Sequence, residues 1–200
     1  MATRRLAQFQ QDVIRARDLI ALGQSLMGMT HGRVDNTDLY RFGLVQAVAA
    51  LDSYVHGISL DRAVDLLMGR LQTEPTESKI GLHFKAILDM LTTSSPSDRE
   101  LSIRSHIAQR LSLETFQRPD AIATALSMVG IRKVWSSVYP GEASNKMTAI
   151  GVIVARRNRI VHECDNDLVS VGSVTNLSAA DALDAIDTIE DAVGRIDSLC

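Results

Sequence analysis

Along most of the chain, apolar residues recur every three or four positions, the spacing that places them on one face of an α-helix. Between Arg4 and Met27 they fall at Leu6, Phe9, Val13, Ala16, Ile20 and Leu26, which predicts one long amphipathic helix. Gly28 and the polar run from His31 to Asn36 end that pattern. Thr37 is placed to cap a second helix reaching His56, with Gly57 as its stop signal. Ser59 then caps a short helix from Leu60 to Leu71, and Glu74-Pro75-Thr76 makes a turn. Lys79 to Leu91 is again helical, and Ser97 is placed to cap Asp98 to Arg110 with Glu100 in reach.

The second half continues in the same way. Pro119 suits the first turn of a helix that runs to about Val129, where Gly130 interrupts it. Ile131 to Val138 reads as a short amphipathic piece closed by Pro140-Gly141, and Ser144 opens a helix to Cys164. Val169, Val171 and Val174 alternate with small or polar residues, which suggests a short extended piece with no obvious strand to pair with. Ser178 and Asp181 form a capping box, and Leu183, Ile186, Ile189, Val193 and Ile196 mark the last helix. The prediction is an all-α bundle in a single domain over residues 1–200.

Composition narrows the class. The chain has 200 residues, 46% hydrophobic and 22% charged, which excludes a disordered tail, a collagen and a disulfide scaffold. A formal net charge of −3 argues against a protein that coats nucleic acid, although it leaves room for a local basic patch. Arginine outnumbers lysine 17 to 4, an excess that codon usage or bidentate recognition of phosphate explains. Two cysteines, Cys164 and Cys200, are too few for a disulfide framework or a cysteine-rich zinc site. The basic start Met1-Ala2-Thr3-Arg4-Arg5 is not followed by an apolar signal core, and no stretch is long enough to span a membrane. The expectation is a cytoplasmic protein with no metal and no cofactor.

Most histidines carry no pattern. No two share metal-ligand spacing on a helix, and no glycine-rich phosphate loop occurs. The exception is the segment from Ala155 to Asp165. An apolar stripe runs Ile150, Ile153, Val154, Ile160, Val161 and Cys164, and the position completing it is Arg157. A guanidinium on a buried stripe demands a partner, because leaving such a charge unpaired costs about 3–5 kcal/mol. Asp52 is the matching anomaly, set among Leu44, Val45, Val48, Leu51 and Val55 of the second helix. An Asp52–Arg157 pair across two packed helices is one solution; the other places each at the edge of the core, facing water. Gly151, Ala155, Asn158 and His162 fall 4, 3 and 4 apart, a line of two small and two polar residues suited to a partner helix or subunit. Asn158 and His162 are one turn apart and can act together, or can serve as a helix-end cap. An imidazole, an arginine and an amide suit proton transfer at a phosphodiester.

The run Arg156-Arg157-Asn158-Arg159-Ile160-Val161-His162-Glu163-Cys164-Asp165 resembles the Arg-Asn-x3-His signature of HEPN domains. The stretch from Leu44 to His56 resembles the second-helix signature of the RiboL-PSP-type HEPN branch. The resemblance implies a bundle with an antiparallel four-helix core and additional short helices, which dimerises and cuts RNA without metal. It implies Arg157 and His162 as catalytic residues, Asn158 as a supporting amide and Asp52 as the group that orients Arg157. It further implies a toxin or phage-defence effector, with an antitoxin or defence-system partner. One HEPN toxin branch carries a tyrosine two residues after the histidine; here that position is Cys164, which puts silencing at that site in doubt. The competing expectation is a noncatalytic HEPN-like helical module that binds a partner protein through the same face.

Overall fold

The computed structural model describes residues 2–73, 80–167 and 172–200. Among these residues the fold is all-α, with eight helices and a single isolated β-bridge. Helix α1 (Arg4–Thr30) starts where the Thr3 hydroxyl accepts from the Leu6 amide, and it buries Phe9, Val13, Ala16 and Ile20. It ends at His31, in the left-handed region at φ 51°.

Helix α2 (Thr37–Leu67) is the central element and packs against α1, α4, α5, α7 and α8. Its Leu44, Val48, Leu51 and Val55 lie in the core. The predicted stop at Gly57 is not used, and the two expected helices are one. Gly57 is there for close packing: a Cβ on it would come within 2.7 Å of Arg5 Cδ. The Arg5 side chain crosses that position to reach Asp61, with Nε donating to Oδ2 at 2.7 Å.

The glycines of the α1–α2 seam act the same way but more strictly. A Cβ on Gly43 would stand 2.9 Å from the Ala16 carbonyl oxygen and 2.9 Å from Ile20 Cγ1. Backbone cannot swing aside as an arginine tip can. Gly43→Ala is therefore expected to destabilise by up to about 2 kcal/mol, the overpacking cost of about 1–3 kcal/mol less the gain of about 1 kcal/mol in helix propensity. Gly57→Ala, which displaces only the Arg5 tip, should change the urea midpoint little.

The remaining helices are α3 (Phe84–Thr92), α4 (Pro96–Leu111), α5 (Pro119–Met128), α6 (Val134–Val138), α7 (Ala143–Glu163) and α8 (Ala179–Asp197). The predicted turn at Glu74-Pro75-Thr76 and the predicted helix start at Lys79 lie outside the described residues. The cap of α4 is Ser95, whose hydroxyl accepts from the Asp98 amide, and not Ser97. Pro96 at the first helical position explains the earlier start, since its missing N–H has no partner to lose there. Helix α6 is shorter than predicted because Lys133 turns left-handed immediately before it. The Ser178–Asp181 capping box forms as expected, and Ser178 holds the Asp181 carboxyl below the usual carboxylate range through its hydroxyl and its amide. Of the predicted extended piece, only an antiparallel bridge between Asn166 and Val174 appears, and Val169 and Val171 lie outside the described residues.

Helix directions follow from the contacts. Gly43 of α2 meets Ala16 of α1, while Asp61 near the end of α2 meets Arg5 at the start of α1, so the two run antiparallel. The Thr3 amide donates to Asp197 Oδ2 at 3.0 Å, and Arg17 reaches Asp187 and Glu190, so α1 and α8 are antiparallel too. Among the described residues, no helix is long and apolar enough to cross a membrane.

Candidate functional site

Helix α7 carries the segment singled out from sequence, and its burial runs differently from the predicted stripe. Ile150 and Val154 are buried, but Val161 is 46% exposed and Cys164 is exposed. The last turn of α7 thus stands proud of the core. Arg157 is half-buried there, with its Nη1 donating to Asn158 Oδ1 at 3.2 Å and its buried Nε without an acceptor.

The expected Asp52–Arg157 pair does not form. Asp52 Oδ1 accepts from the Phe116 amide at 2.6 Å and Oδ2 from Gln117 Nε2 at 3.5 Å, so this carboxylate anchors the loop between α4 and α5. His56, one turn on, reinforces that anchor. Its Nδ1 faces the Asp52 carbonyl oxygen at 2.8 Å, its Nε2 faces the Leu111 carbonyl oxygen at 3.1 Å, and the Phe116 ring lies 4.5 Å from its own. Asp52 therefore holds structure on the side of α2 that meets this loop, and it does not orient Arg157.

The carboxylate that pairs with arginine in the core is Asp165, which is fully buried. Its Oδ2 accepts from Arg41 Nε at 2.9 Å and from Arg156 Nη2 at 2.7 Å. Both arginines also donate to the Thr175 carbonyl oxygen, each at 2.8 Å. The local backbone explains how an aspartate three residues past His162 comes to lie in the core. Cys164 and Asp165 both take the left-handed conformation, at φ 52° and 54°. That pair of turns stops α7 and folds the chain back, with the Asp165 amide donating to the Arg159 carbonyl at 3.1 Å and the Thr175 amide to the Asp165 carbonyl at 2.9 Å. The net result is a buried Arg41–Asp165–Arg156 triad that ties the end of α7 to the start of α2.

With the cap made by backbone groups, Asn158 and His162 are not used in it. Asn158 turns its oxygen to Arg157, and His162 is exposed with no hydrogen bond among the described residues. Arg157 and His162 are five positions apart, about 140° around the helix at 3.6 residues per turn. A single chain therefore brings Arg157 to Asn158 but not to His162.

The small-residue line is open. A Cβ on Gly151 would meet nothing within 4 Å. Gly151, Ala155 and Asn158 form one wall of a groove of about 550 Å³, with Ser144, Met147, Thr148 and Val154 on the same helix and Arg118, Pro119 and Asp120 opposite. The three members of the buried triad are not singled out by the sequence pattern. Arg41 sits three residues before Leu44 on the buried stripe of α2, a signal that was present. Arg156 and Asp165 needed the double left-handed turn, which nothing in the sequence announces at a cysteine and an aspartate.

Comparison with family models, with curated proteins and with solved structures returns no match for this chain.

Proposed function

We propose that this chain is a metal-independent endoribonuclease of the HEPN type, acting in the cytoplasm as a toxin or phage-defence effector, with its site composed from two copies. One observation carries the reading. Arg157, inside an Arg-Asn-x3-His run, has no carboxylate partner among the described residues, while the buried ion pairs around it are made by Arg41 and Arg156. The charge of Arg157 is thus available to a ligand.

The chemistry follows from the side chains. His162 takes the proton from a ribose 2′-hydroxyl, and that oxygen bonds to the adjacent phosphorus. The bond from phosphorus to the 5′-oxygen breaks, and the leaving oxygen receives that proton from the His162 imidazolium so formed. Arg157 neutralises the charge that builds on the non-bridging oxygens, aligned by Asn158. The products are a 2′,3′-cyclic phosphate and a 5′-hydroxyl. A second copy set against the exposed last turn of α7, where Val161 is open, brings a partner arginine toward His162 and leaves the groove beside Gly151 and Ala155 free for the strand.

The test is incubation of the wild-type protein with single-stranded RNA in excess chelator. Cleavage that persists and leaves cyclic-phosphate ends supports the reading. Cleavage that chelator abolishes overturns the mechanism. Intact RNA beside a stable complex with a copurifying protein favours the noncatalytic module instead.

A further inference from the structure

The groove has a cation that neither motif includes. Arg118 lines it opposite Gly151, Ala155 and Asn158. Its backbone is fixed from both sides. Pro119 restricts the preceding residue to extended conformations, and Arg118 takes φ −75° and ψ 145°. The Pro119 carbonyl in turn accepts from the Trp135 indole N–H at 2.9 Å. A long side chain thus leaves a rigid base at the mouth of an open groove. The Arg118 side chain is exposed and makes no ion pair or hydrogen bond among the described residues. Arg5, Arg17, Arg70, Arg104, Arg110 and Arg195 hold carboxylates, whereas Arg118, like Arg4, Arg33 and Arg159, keeps its charge uncommitted among the described residues. Arg157, which also lacks a carboxylate among the described residues, is on the same α7 helix but outside the lining of the groove. One acid, Asp120, shares the lining.

We propose that Arg118 is an RNA-binding residue that grips a backbone phosphate of single-stranded RNA lying in the α5–α7 groove, one or more nucleotides from the bond that is cut. This rests on the nuclease reading for the identity of the ligand. A guanidinium matches a phosphate bidentately, and the small side chains of Gly151 and Ala155 leave room for the strand between Arg118 and α7. The phosphate contact is sequence-independent, so Arg118 sets affinity and register and leaves base choice to other groups.

The experiment is fluorescence anisotropy of a labelled 12-nucleotide single-stranded RNA, titrated at several KCl concentrations, in the His162→Ala background so that the probe survives. Arg118→Ala is expected to weaken binding several-fold and to make the slope of log K against log salt shallower by about 0.7, the loss of one phosphate contact on a single strand. Arg118→Lys should retain the slope. An unchanged slope in Arg118→Ala, or no binding of the RNA at all, overturns the proposal. Binding of an acidic peptide in place of RNA also overturns it. Cleavage by the wild-type chain is scored on the same oligonucleotide. Cleavage with an unchanged slope removes the Arg118 assignment alone; a shallower slope without cleavage removes the nuclease reading and leaves Arg118 as an RNA contact.

Discussion

Asp165→Ala should cost about 3–5 kcal/mol of folding stability, the penalty for stranding buried charge. The reason lies in what remains behind. Arg41 is 5% exposed, and the Arg156 side chain is nearly as sheltered; both spend a donor on Asp165 Oδ2. Removing the carboxylate takes the one buried counter-charge from two guanidinium groups, leaving Arg41 the exposed Asp38 and leaving Arg156 only the Thr175 and Asn176 carbonyls. Asp52→Ala is the control. Asp52 accepts from one backbone amide and one side-chain amide, and its loss should cost about 1.5–3 kcal/mol, the scale of a hydrogen bond to a charged acceptor. Urea unfolding of both variants measures the contrast. Double-mutant cycles assign the partners: Asp165 with Arg41 should couple by about 0.5–3 kcal/mol, whereas Asp52 with Arg157 should be additive within about 0.5 kcal/mol. Equal costs for the two aspartates would overturn this account of the buried pair.

The same comparison shows which features were legible in the chain. Helices α1, α5, α7 and α8 were readable because each has a clear apolar period, and two of them also have an end signal that the structure uses: Pro119 in α5, and Ser178 and Asp181 before α8. Gly57 misled because a glycine is placed either for its backbone freedom or for its missing side chain, and only the position of Arg5 shows which applies. The need for a buried carboxylate was legible, since burying an arginine imposes it. The identity of the pair was not. Position 157 is one residue from position 156, about 100° of helix rotation, and that rotation decides which guanidinium faces the core. Asp165 was hidden by its backbone, because left-handed φ at two successive non-glycine residues is rare and has no sequence mark. At the site itself, the open Gly151–Ala155 line follows from the spacing, the Arg157–Asn158 contact does not, since adjacent helix positions diverge by about 100°, and Arg118 joins the groove only through the packing of α5 on α7.

In the proposed mechanism His162→Ala should lower RNA cleavage by roughly 10²–10⁴-fold, the scale of a lost general acid–base group. It should leave the urea midpoint unchanged, because His162 is exposed and unbonded among the described residues. That variant alone does not test whether the site is composite. Arg157 and His162 diverge by about 140° on one helix, so within a chain they do not address the same phosphate. Two chains remove the conflict by offering the arginine of one and the histidine of the other. Arg157→Ala and His162→Ala proteins should each be inactive alone. Mixed in equal amounts and allowed to exchange subunits, half of the dimers are heterodimers, and each of these regains one of its two sites. Activity should then recover to roughly a quarter of wild type, as two-fold symmetry requires. The measurement is cleavage of one labelled RNA by the mixture against each variant alone, with dimer exchange verified by light scattering and by differently tagged chains. Exchange without recovery would place both groups in a single subunit's site, or show that they do not act on RNA together. Recovery ties the exposed imidazole of one subunit to the uncommitted guanidinium of the other.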